Sequence, residues 1–168
     1  MTTTALQLYA VQAGKFSAKP GADTVVTDLK SQGFAGSVIE EDGAFYVFAG
    51  VGSEKAQTEA INTLLIGKLE IEPWGGKTFS VELPEQFRAH VGSLSSIAAK
   101  ATSGQSTDAT QIADIETKLN AIETKDEAIS ALKEQLLAAT SLLKEPSLEN
   151  GWKAQQALLD AISSAKNK

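Results

Sequence analysis

Few side chains in this 168-residue sequence can do covalent or metal chemistry, and their spacing points to binding. One His and no Cys exclude disulfides, thiolate metal sites and a Cys nucleophile. They leave little for a metal cluster or a Ser-His-Asp triad. The informative residues alternate along the chain. Gln12, Tyr46 and Phe48, then Glu70, Glu72 and Trp74, share one alternation phase of three segments that read as strands, so they line one sheet face. Aromatic planes beside amides and carboxylates suit a sugar. Its C–H faces lie on the rings, and its hydroxyls exchange hydrogen bonds with Gln and Glu. A bare face of this kind costs free energy in water. Either a ligand takes it, or the second half of the chain covers it.

The elements that must position these residues follow from the same patterning. Leu6 to Gly14 alternates as a strand; Ala22 to Gly33 has helical spacing with Gly33 as its C-cap; Phe34 to Ile39 is a short strand. Glu41-Asp42-Gly43 is a tight hairpin turn before a third strand, Ala44 to Gly50. Ser53 is placed as the N-cap of a helix over Glu54 to Ile66, ended by Gly67, and Lys68 to Trp74 reads as the fourth strand. The order is βαββαβ, a ferredoxin-like four-stranded antiparallel sheet with two helices, so the fold class is α+β. YAVQAG at 9–14 recurs as FYVFAG at 45–50, an internal repeat of one strand–helix unit. Tyr9, Val11, Ala13, Phe45, Val47, Ala49, Leu69 and Ile71 are the expected inward set.

The second half changes composition. Residues 1–82 hold 10 of the 13 Gly and 8 of the 10 aromatics, so two kinds of structure share the chain. Residues 1–82 and 83–168 are expected as two domains, with a polar linker over about 102–110 inside the second. Pro84 is placed at N1 of a helix striped by Phe87, Val91, Leu94 and Ala98. Asp108 to Lys144 reads as one long helix, and Ser147 caps a last one bearing Trp152, Leu159 and Ile162. A helical hairpin or three-helix bundle results, acting as a spacer or as a surface for a protein partner.

Several motifs lead nowhere. Gly50-Val51-Gly52 lacks the third Gly and the Lys-Ser/Thr pair of a phosphate loop. His90 lies beside an apolar stripe and reads as structural. Glu40, Glu41 and Asp42 form a solvated acidic turn, and no metal or cofactor is expected. Glu70 and Glu72 would stand roughly 6.6 Å apart on one strand face, a spacing that any alternating strand produces, so no acid–base pair and no enzymatic activity are read from them. RNA-recognition modules share the βαββαβ order, but they need a basic rim; AFYVFAG carries no Lys or Arg and the chain has net charge −6, so nucleic acid is disfavoured as a partner. Met1 to Thr4 has neither a basic nor an apolar leader region, so no signal peptide is expected there.

YAVQAGKFSAKPGADTVVTDLKSQGF followed by FYVFAGVGSEKAQTEAINTLL resembles the sporulation-related repeat, or SPOR domain, over about residues 6–75. The pattern of that family is met by Val11, Gln12, Gly14, Phe16, Ala22, Leu29, Gly33, Val47, Gly50, Ala56 and Ala60. The resemblance implies non-catalytic binding of bacterial peptidoglycan, to glycan strands denuded of stem peptides, at division or sporulation septa. It implies a glycan site on the exposed sheet face: Gln12, Phe16 and Ser17 through the motif, and Tyr46, Phe48 and Trp74 by position. Glu70 and Glu72 sit awkwardly on that face, because denuded glycan keeps lactyl carboxylates and like charges repel. A SPOR-like domain followed by helices also resembles sporulation proteins of bacilli that carry an N-terminal membrane anchor. That implies an extracytoplasmic, cell-envelope location with the anchor outside this chain. The alternative is a protein-interaction adaptor in envelope or sporulation assembly whose sheet face is covered by the helices or by a partner.

Overall fold

A computed structural model describes residues 3–166; Met1 and Thr2, part of the stretch read for a signal peptide, lie outside the described residues, as do Asn167 and Lys168. The order is β1 (Thr3–Phe16), α1 (Lys19–Ser31), β2 (Ser37–Glu41), β3 (Ala44–Gly52), α2 (Lys55–Leu65), β4 (Trp74–Pro84), then α3 (Glu85–Thr102), α4 (Ala109–Asn120), α5 (Glu127–Leu143) and α6 (Leu148–Lys166). The fold is α+β, and the four strands pair antiparallel in the order β2-β3-β1-β4, the split βαβ arrangement with β1 and β3 central. Asp42 (φ 52°) and Gly43 (φ 76°) make the β2–β3 turn, the left-handed conformation that a two-residue hairpin loop demands.

Each face of the sheet has its own core. Val11, Ala13, Val47 and Ala49 point toward α1 and α2 and pack on Ala22, Leu29, Ile61 and Leu65. Leu8, Ala10, Ile39, Phe48, Phe79 and Val81 point the other way, into a core built with Phe87, Val91 and Leu94 of α3 and Leu158, Leu159 and Ile162 of α6. This second core crosses the expected boundary at 82/83 without a break. Gly151 lets α6 approach α3 closely: a Cβ there would stand 2.7 Å from the Thr102 backbone nitrogen.

The sheet curls around α6. Gln155, fully buried, accepts from the Val51 N–H (2.8 Å) and donates to its C=O (2.9 Å), on a stretch of β3 that β2 does not reach. Gln156 does the same for Gly36 at 2.9 and 3.0 Å. At the far end of α6, Lys166 pairs with Glu41 of β2 (3.3 Å) and donates to the Ser80 C=O of β4 (2.8 Å). One side chain thus ties the two edge strands together.

Four expectations need correction. The fourth strand is Trp74–Pro84, not Lys68 to Trp74. Pro73 has no N–H and a fixed φ, which spoils a ladder over 68–73, whereas Thr78 to Leu83 alternates without interruption along the N-terminal part of β1. Ile71 is consequently exposed (44%) instead of inward. The long helix is two helices, so four helices follow the sheet. The Asp126 carboxylate accepts from the Ala128 and Ile129 N–H groups as the α5 N-cap, and the Lys133 ammonium donates to the Ile122 carbonyl, sealing the break. Two caps shift by one residue: Glu54 caps α2 and Pro84 precedes α3 as its N-cap.

Candidate functional site

The aromatic face divides into a sealed floor and an open rim. The β1–β3 ladder is irregular between Val11 and Gly14. There Val11 and Ala13 are buried against α1 and α2, and Gln12 is half-buried on the opposite side. Gln12 stands across from Phe48 on β3 and from Trp74 on β4, so it joins the two strands that carry the aromatics. Tyr46 stands across from Lys15. The rings form a row: Tyr46 to Phe48 at 6.2 Å, Phe48 to Phe79 at 5.0 Å, both tilted.

Along that row exposure changes abruptly. Phe48 is 0% exposed, sealed by the α3–α6 side, and presents no surface to a sugar. Tyr46 is half-buried, and Trp74 is 55% exposed at the head of β4. The structure therefore brings Gln12, Tyr46 and Trp74 to one end of the sheet. Ser17 is exposed in the turn after β1. Phe16 is on the other face: it belongs to the α1 core, with its ring against Gly14 and Gly21. Glu70 and Glu72 are exposed in the segment before β4 and are not sheet-face residues.

Two residues that the alternation did not single out complete the rim. Lys77 lies 5.0 Å and Lys15 5.5 Å from the Tyr46 ring centroid. Neither is in an ion pair among the described residues, whereas Lys19, Lys55, Lys118, Lys144, Lys153 and Lys166 are. The rim is thus a positive spot on an acidic chain. The signal for Lys77 is present in the sequence, because Lys77-Thr78-Phe79-Ser80-Val81-Glu82-Leu83 alternates more strictly than Lys68 to Trp74.

Among the described residues no group of three His, Asp or Glu could hold a metal ion. His90 is half-buried on α3, and burial, then the Lys118 charge, lower its pKa against a weaker upward pull from Asp114. A groove of about 250 Å³ lies apart from the rim, between α5, α6 and the start of β1, lined by small and apolar residues such as Ala128, Ile129, Leu132 and Ala161. No helix among the described residues is long and apolar enough to cross a membrane.

The chain is similar to the solution structure of the peptidoglycan binding domain of the B. subtilis cell wall lytic enzyme CwlC. That match is 23% identical, covers 50% of this chain and 99% of that one, and has a TM-score of 0.35. The chain is also similar to stage II sporulation protein B of Bacillus subtilis (strain 168), 37% identical over 155 residues, which is 92% of this chain and 46% of that protein. The chain therefore spans about half the length of the relative it matches. The SPOR domain family model matches residues 5–74 and ends where β4 begins. Residues 5–74 of this chain are a SPOR domain.

Proposed function

We propose that this chain binds bacterial peptidoglycan without cleaving it, on glycan strands denuded of stem peptides, and so directs its bearer to division or sporulation septa in the cell envelope. The observation that carries this reading is the exposed Trp74 ring across from Gln12, at the open end of a SPOR sheet. An exposed indole suits the C–H face of a pyranose, and the Gln12 amide can both donate to and accept from its hydroxyls. The membership of residues 5–74 in the SPOR family supports the substrate class. The similarity to a sporulation protein supports the setting. The site is a rim and not the whole sheet face, because Phe48 is withdrawn into the core.

Retention of the full chain on purified sacculi, with and without amidase treatment, tests the proposal. Amidase treatment is expected to increase retention. Trp74→Ala is expected to weaken it by roughly tenfold, about 1.4 kcal/mol, and Gln12→Ala by less, both with Tm nearly unchanged. No enrichment on amidase-treated sacculi sinks the reading, and an unfolded Gln12→Ala makes that residue structural.

A second reading is favoured by one observation: the floor of the sheet is already filled by α3 and α6. In that reading the chain is an adaptor that meets a protein partner through its helices. Sacculus binding unaffected by Trp74→Ala and Gln12→Ala, or no binding at all, turns the choice that way.

A further inference from the structure

We propose that Lys15 and Lys77 make the rim a reader of oxyanions, so that it selects sugars carrying a carboxylate or a phosphate; this rests on the glycan reading above. The geometry divides the labour between two aromatics. Trp74 has an exposed ring and no ring or cation contact among the described residues. Tyr46 instead carries an ammonium at 5.0 Å and another at 5.5 Å. The two charges are no farther apart than these distances laid end to end, about 10.5 Å. At that separation salt at about 0.1 M does not fully screen their repulsion. The electron-rich ring draws both cations to one place, and nothing among the described residues neutralises them there.

Each ammonium has three N–H donors. None of those of Lys15 or Lys77 is spent on a hydrogen bond within the described chain, whereas Lys133 and Lys166 donate theirs to backbone carbonyls. An oxyanion drawn to Tyr46 is attracted by both cations, which offsets their repulsion, and it gains charge-assisted hydrogen bonds from the ammonium that reaches it. Tyr46 is then a holder of cations, and Trp74 is the surface on which the sugar ring lies. The Gln12 amide, across from Trp74, is placed to orient the ring between them. The pair matters the more because the chain as a whole is acidic, at −6, and repels anionic polymers at long range. A neutral sugar gains nothing from this corner, and an acidic one does.

The test measures retention of the full chain on amidase-treated sacculi, from which stem-peptide carboxylates are gone, in three forms. One is untreated, one has its carboxyls converted to neutral methylamides, and one has its phosphodiesters cleaved by hydrofluoric acid. The expected result is a loss of roughly tenfold in the arm that removes the anion being read, which assigns the source as carboxylate or phosphate. Lys15→Gln with Lys77→Gln is expected to lose a similar factor on untreated material and no more on the neutralised form. Lys15→Arg with Lys77→Arg is expected to keep most of the binding, and raised salt to erase the wild-type advantage. Equal wild-type retention in all three arms, or a double Gln variant that binds like wild type, overturns the proposal while leaving the glycan reading in place. No retention on untreated material overturns both.

Discussion

Tyr46 and Phe48 are two residues apart on one strand and project from one face, yet they have opposite fates. Phe48 is sealed in the core, and Tyr46 stands at the rim with two lysines over it. The difference does not come from β3 itself. It comes from what the rest of the chain lays over each position. The face toward α1 and α2 is covered by helices that connect the strands they cover, as a βαβ unit requires. The other face is covered by α3 and α6, and α6 arrives about a hundred residues after the strand it seals. Local connections cover one face by construction. The other is covered only as far as α3 and α6 reach, and binding chemistry is left where they stop.

The sharpest way to break this contrast is to truncate both aromatics. Phe48→Ala is expected to cost about 3–5 kcal/mol of stability, since it empties a fully buried aromatic site between two helices and the sheet. Tyr46→Ala, at a half-exposed position, is expected to cost far less and to lower sacculus retention instead. Urea denaturation of both, read with their m-values, checks this. Similar costs for the two would mean that the floor is not a core.

A smaller effect is expected from the polar fastening of the cover. Gln155→Ala leaves the Val51 N–H and C=O buried without partners, which is expected to cost about 1–3 kcal/mol. Its neighbour Gln156 holds Gly36 at a partly buried place, so Gln156→Ala should cost less. Chemical denaturation orders the two. The reverse order would show that the buried amide is not what closes the open stretch of β3.

Much of this arrangement was legible in the sequence, and the gaps have physical causes. The alternation of Val11, Ala13, Val47 and Ala49 reports one sheet face faithfully, because local helices always cover that face. The Asp42-Gly43 turn and the terminal glycines Gly33 (φ 86°) and Gly67 (φ 81°) are readable because their backbone conformations admit few residue types. The place of the fourth strand is not legible because Lys68 to Trp74 also alternates, and nothing local says that β1 runs on to Thr3 and needs a partner there. A strand over 68–74 puts Glu70 and Glu72 on the binding face and leaves Lys77 off it, which inverts the charge of the rim. The burial of Phe48 depends on Gln155 and its neighbours, more than a hundred residues away. A polar residue such as Gln155 on an Ala-rich helix reads as surface until a bare strand edge is found beside it.

The smallest expected effect is a pH dependence of the cover. The chain has one His, so no other side chain ordinarily titrates between about pH 5.5 and 7. His90 lies on α3, which packs on the floor, and burial followed by the Lys118 charge holds its pKa below the ordinary 6.5. In the unfolded chain the imidazole titrates at its ordinary value, so between the two values the unfolded state binds more protons than the native state. Stability therefore rises with pH across that window. The contribution is fully present above about 6.5 and is lost as the pH falls through the folded value. Wild type is expected to lose more Tm than His90→Gln between about pH 7 and 5, with no pH-dependent difference between them above 7. Because Asp114 opposes the shift and pairs with Lys118 at 2.9 Å, Lys118→Gln should shrink the dependence. A wild-type dependence equal to that of His90→Gln would remove α3 protonation as a lever on the floor.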